Sequence, residues 1–145
     1  MAGYSGTPLL KKLGIKDGHR VLLRNAPSGL PEALAPFAEA RKRAHPSADK
    51  IDVAVLFAGS VAEYKTGFAQ LFPQLHPDGA LWIAWPKKAS GIPTDLTENL
   101  IRDHALTTAF VDVKVCAIDD TWSGLKLVVR KERRAAFAVQ TGTEL

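Results

Sequence analysis

Ile51-Asp52-Val53-Ala54-Val55-Leu56-Phe57 is apolar at six of seven positions and rich in branched side chains. A run of that length and composition fits a strand buried on both faces, the setting of a parallel sheet lying between helices. The next residues support it. Ser60-Val61-Ala62-Glu63 places a hydroxyl three residues before a carboxylate, the capping-box spacing that opens a helix. Val61, Tyr64, Phe68, Leu71, Phe72 and Leu75 then recur at helical intervals and predict one apolar face. Pro77-Asp78-Gly79 reads as a turn into a second buried strand, Ala80 to Trp85. Trp82 and Trp85 stand an odd number of positions apart there, so they face opposite sides and both belong to the core with Phe57 and Phe68.

The pattern continues in both directions. Arg20 to Arg24 is a first strand. Leu9, Leu10 and Leu13 before it form a short helix, with Thr7 as cap, Pro8 at the first helical position and Gly14 as the stop. From Leu30 to His45, the Pro31 and Pro36 pair predicts a short helix to about Ala35, followed by an edge strand or irregular segment through Arg43. Downstream, Asp95 with Glu98 predicts another capping box and a helix to about Ala105. Strands Phe110 to Ile118 and Gly124 to Lys131 are joined by Asp119-Asp120-Thr121-Trp122-Ser123, a loop short enough for an antiparallel hairpin. The expected architecture is α/β: a three-layer, Rossmann-like sheet of the methyltransferase type, mostly parallel, with a C-terminal antiparallel hairpin. One domain is expected over residues 1–131, with 132–145 a loose tail or a frayed helix.

Composition narrows the partners. The 145 residues carry 19 Lys and Arg against 15 Asp and Glu, a net charge of +4. That balance gives a weak preference for anions. Arg41, Lys42 and Arg43 form one basic cluster; Lys126, Arg130, Lys131, Arg133 and Arg134 form another, and the second allows a nucleic-acid reading of the hairpin. No apolar run approaches the roughly 20 residues that span a bilayer. No basic segment followed by an apolar stretch opens the chain. Cys116 is the single cysteine, so an internal disulfide and a cysteine-based zinc site are excluded. A cytoplasmic protein is expected on these grounds.

GYSGTPLLKKLGI from Gly3 to Ile15, WPKKASG from Trp85 to Gly91 and VDVKVCAIDDTWSGLKLV from Val111 to Val128 stand in that order. Together they resemble a family of short bacterial proteins known only as a domain of unknown function. The resemblance implies a small cytoplasmic bacterial protein and supplies no activity.

The chemistry is sparse. S-adenosylmethionine, the ligand first suggested by the layout, requires glycines after the first strand and an acidic residue ending the next. Here Arg24-Asn25-Ala26-Pro27-Ser28-Gly29 holds one glycine, and basic Arg41-Lys42-Arg43 stands where the acid is wanted. Ala58-Gly59-Ser60 replaces the Asn-Pro-Pro-Tyr type of sequence that marks amino methyltransferases. His19, His45, His76 and His104 show no chelating spacing, and neither Ser60 nor Cys116 has a base at nucleophile-activating spacing. No cofactor, metal or catalytic residue is therefore assigned. Four loops should meet at the carboxyl edge of the sheet, where this class of fold binds ligands. Lys87, Lys88 and Ser90, with Asn25 and Ser28 across the gap, are the candidate anion-binding residues. Trp122, Asp119 and Asp120 are candidate partner contacts, Trp122 being either a lid on the core or an open contact surface. The expected role is non-catalytic binding or regulation, with an anionic small molecule or a protein as partner. A divergent S-adenosylmethionine-dependent methyltransferase is the alternative.

Overall fold

The computed structural model describes residues 8–40 and 50–142. Five strands form one sheet: β1 (Val21–Arg24), β2 (Ile51–Phe57), β3 (Leu75–Pro86), β4 (Phe110–Ala117) and β5 (Trp122–Val129). Their spatial order is β1-β2-β3-β5-β4. β1, β2 and β3 run parallel, with Val21 beside Val53 and Val53 beside Ala80. β5 is antiparallel to both β3 and β4, so β4 runs in the same direction as the first three strands. An antiparallel strand inserted between two parallel ones is the pattern of the methyltransferase-type sheet, and the fold is Rossmann-like α/β.

Helices cover both faces. On one side α1 (Leu9–Leu13) and α2 (Ala35–Ala40) meet the sheet, with Leu13, Leu34, Val55 and Trp82 in their shared core. On the other lie α3 (Val61–Leu71), α4 (Glu98–Leu106) and α5 (Arg134–Thr141), burying Tyr64, Phe68, Ile101 and Phe137 against Leu56, Ile83 and Leu125. The two tryptophans of β3 divide between these cores as their spacing predicts. Trp82 is fully buried, and its indole N–H donates to the Leu13 carbonyl at 3.0 Å, tying α1 to the central strand. Edge-on aromatic contacts from Phe68 to Phe110 and from Phe110 to Phe137 join α3, β4 and α5.

Several elements differ from the sequence reading. Pro36 does not break the helix: a 3-10 turn at Glu32–Leu34 runs directly into α2. The proline then sits in the first turn of α2, where its missing N–H has no helical acceptor to serve. The cap expected at Thr7, the segment from Arg41 to His45 and its basic cluster lie outside the described residues. Pro8 itself stands in the capping position of α1, one place earlier than expected, while Gly14 ends the helix in the left-handed region as predicted. Pro77-Asp78-Gly79 is no turn. It lies within β3 as an irregularity, because four residues stand between Leu75 and Ala80 where β2 has one between Ile51 and Val53. Thr97, not Asp95, caps α4, its hydroxyl accepting from the Leu100 N–H. Of the two readings of the tail, residues 132–142 take the helical one: a 3-10 turn leads into α5, which inserts Phe137 into the core. Trp122 belongs to β5 rather than to the hairpin loop. No helix among the described residues is long and apolar enough to cross a membrane.

Candidate functional site

The strand directions bring the loops after β1, β2, β3 and β4 to one edge of the sheet. Local chemistry fixes each of them. After β2, Ser60 accepts from the Glu63 N–H at 3.1 Å, and the Glu63 carboxylate turns back to accept from the Gly59 N–H at 2.9 Å. Asp95 reaches in from the segment before α4 and accepts from the Val61 N–H at 2.8 Å. The N-terminus of α3 therefore already faces two carboxylates of the chain itself, which complement its dipole.

The loop after β3 is held as firmly. The Lys87 N–H donates to the Thr121 carbonyl at 2.8 Å, joining this loop to the hairpin turn. Ser90 donates its hydroxyl to the Lys87 carbonyl at 2.6 Å and accepts from the Ile92 N–H at 3.2 Å. Gly91 closes that turn at φ 76°. Ser90 thus has a turn-forming role, Lys87 is half-buried and Lys88 is exposed. In the hairpin turn the Asp119 carboxylate accepts from the N–H groups of Thr121 and Trp122, both at 2.8 Å, while Asp120 is exposed. Trp122 is half-buried and meets Phe57 edge-on at 5.3 Å, the lid arrangement of the two that sequence allowed.

Asn25 and Ser28 are exposed. β2 lies between β1, which the first loop follows, and β3, which carries the lysine loop. Asn25 follows β1 at φ 59°, the one non-glycine residue with positive φ among those described. Asparagine tolerates that region better than most side chains. It borders a cavity of about 300 Å³ lined by Arg24, Asn25, Ala62, Glu63, Thr66, Gly67 and Gln70. Within it the Arg24 guanidinium donates to the Gln70 side-chain oxygen at 2.6 Å. This cleft between β1 and α3 was missed from sequence. Glu63 read only as a capping residue, and nothing local to Gln70 or Thr66 announces that α3 lays them beside Arg24.

A second cavity, about 340 Å³, lies between α3 and α4 and is mostly apolar. At its wall the Tyr64 hydroxyl and His104 Nδ1 are 2.7 Å apart. Burial pushes the Tyr64 hydroxyl above its ordinary range. Burial first, and then the charge of Lys65, lower the His104 imidazole. Elsewhere, burial raises the Cys116 thiol against the opposing influence of Lys12 and Lys114. No group of three His, Cys, Asp or Glu side chains among the described residues could hold a metal ion.

The residues around the β1 cavity do not fit S-adenosylmethionine as that fold ordinarily holds it. No parallel strand stands outside β1 among the described residues, so no strand-end acid is set for ribose hydroxyls.

No known family model and no curated protein sequence matches the chain, so the resemblance to short bacterial proteins rests on its three motifs. Among solved structures, LepI in complex with SAM is 9% identical, with a TM-score of 0.47 over 84% of this chain and 39% of LepI. The PH0226 protein from Pyrococcus horikoshii OT3 is 11% identical, with a TM-score of 0.41 over 84% of this chain and 75% of that one. The chain spans about two fifths of the length of LepI.

Proposed function

We propose that the chain is a small-molecule-binding domain of methyltransferase-type architecture, with its ligand in the cleft between β1 and α3. The observation that carries this reading is positional. A left-handed Asn25 follows β1 beside a cavity that Arg24, Glu63, Thr66 and Gln70 help to line, on the edge of the sheet where this class of fold places ligands. Arg24 supplies guanidinium donors for a carboxylate or phosphate; Glu63, Thr66 and Gln70 supply acceptors and neutral partners.

Two readings of the ligand follow. The strand order favours a divergent S-adenosylmethionine-dependent methyltransferase, since the inserted antiparallel β5 is a feature of that architecture. The side chains favour non-catalytic binding of a small anion, since Arg24 is the one charged donor in the cleft and Glu63 is partly engaged by Gly59. The order of five strands is the broader observation and lends the methyltransferase reading more support than anything lends a regulatory one. A protein partner at Trp122, Asp119 and Asp120 is less favoured, because Trp122 packs on Phe57 and Asp119 holds the turn.

Thermal melting with millimolar S-adenosylmethionine or S-adenosylhomocysteine separates the two readings. A ligand at 100 times its dissociation constant stabilises by about 2.7 kcal/mol, an easily measured rise. A rise that Arg24→Ala or Glu63→Ala removes supports the methyltransferase reading. No rise, with a small molecule retained in native mass spectra and lost from the same variants, supports the non-catalytic one. Absence of both defeats the proposal.

A further inference from the structure

β5 and β4 place Lys126 directly opposite Lys114. Like charges set opposite each other across an antiparallel pair destabilise it. Lys126 also pairs in register with Trp82, so both lysines lie on the α1 side of the sheet, away from α3 and the β1 cleft. Lys126 is half-buried, and its ammonium nitrogen lies 3.8 Å from where a Cβ on Gly14 would stand. Burial, and then the charge of Lys114, lower its pKa.

Neither Lys114 nor Lys126 has a hydrogen-bond or ion-pair partner among the described residues. Asp112 is paired with Arg102, and Asp78 with Arg134. Lys12 of α1 comes within electrostatic reach of Cys116, two residues beyond Lys114 on the same face. A desolvated ammonium facing a second one is unfavourable unless an anion completes the group.

We propose that Lys114 and Lys126 form a phosphate-binding patch on the α1 face of β4 and β5, for a small phosphate-bearing molecule. Lysine ammonium groups serve phosphate as point charges, and several are needed to balance a dianion. A nucleic-acid backbone fits less well, because two of the arginines of the C-terminal cluster are turned to other work. Arg130 donates to the Leu106 carbonyl, and Arg134 donates to the Val129 carbonyl and pairs with Asp78.

The test is melting of the whole chain in dilute buffer, with inorganic phosphate or pyrophosphate compared against sodium chloride at equal ionic strength. Wild type should gain from phosphate beyond the chloride control. Lys126→Met should raise the anion-free melting temperature, by relieving the repulsion, and lose the phosphate-specific gain. Lys114→Met, at an exposed position, should do the same if Lys126→Met folds poorly. Alkylation of Cys116 by neutral iodoacetamide gives an independent readout, because an anion that screens the lysines reduces the thiolate fraction. Phosphate should slow it several-fold in wild type and leave either variant unchanged. Equal phosphate effects in wild type and variants overturn the proposal. So does binding of a short DNA duplex that both substitutions abolish while phosphate alone stabilises nothing.

Discussion

Gly79 shows how one residue type is dictated by its surroundings. A Cβ there would meet the Asp52 carbonyl oxygen at 2.8 Å and those of His76 and Ile51 at 3.0 Å, all backbone atoms held in the β2–β3 ladder. Gly79→Ala should therefore destabilise by about 1–3 kcal/mol, the usual range for overpacking a tight site, as read from urea unfolding midpoints. His104 carries a pH dependence that can be signed. Its folded imidazole resists protonation, while the unfolded chain titrates near the ordinary 6.5. The unfolded state thus binds more protons at mildly acidic pH. The contribution is fully present above about pH 6.5 and is lost as pH falls through the lowered folded value. His104→Gln keeps an acceptor for Tyr64 without the titration. The fall in melting temperature from neutral to acidic pH should be smaller in that variant than in wild type, and an equal fall would place the effect elsewhere.

Among the elements, those with strong local chemistry were legible and those assembled by distant contacts were not. Ile51 to Phe57 appears with the boundaries its composition predicts, and Ser60 caps α3 as its spacing to Glu63 requires. Asp95 misled because its carboxylate caps α3, 34 residues back in sequence, and not the helix that follows it. Trp122 extended β5 because Pro86 of β3 lies opposite it and Phe57 receives its ring. α5 was legible only as one of two readings of the tail, for a related reason. Its composition is unremarkable, and it is held by Phe137 in the core and by a distant cation. Lys50 donates to the Thr141 carbonyl at 2.7 Å and to the Pro73 carbonyl at 2.8 Å, tying the end of α5 to the turn after α3. Lys50→Met should speed amide exchange in residues 134–141 on the order of tenfold, since a hydrogen bond to a charged group contributes about 1.5–3 kcal/mol. Unchanged exchange there would show that Phe137 alone secures the helix.

At the scale of the whole molecule, the order β1-β2-β3-β5-β4 does two things. It gathers four loops at one edge, as the pattern of strands and helices predicts. It also separates residues that a list of loops places together, because β2 stands between Asn25 and the Lys87 and Lys88 pair. Sequence could locate the edge but not the position of each loop along it. The central claim is that the cleft between β1 and α3 is the ligand site. Amide chemical-shift mapping of the labelled protein tests it most directly, with S-adenosylmethionine, S-adenosylhomocysteine, adenosine monophosphate and citrate as probes. The account predicts that at least one probe moves a contiguous set of amides at Asn25, Gly59, Glu63, Thr66, Gly67 and Gln70 before any others. Silence from every probe at millimolar concentration, or movement confined to another part of the sheet, would contradict it.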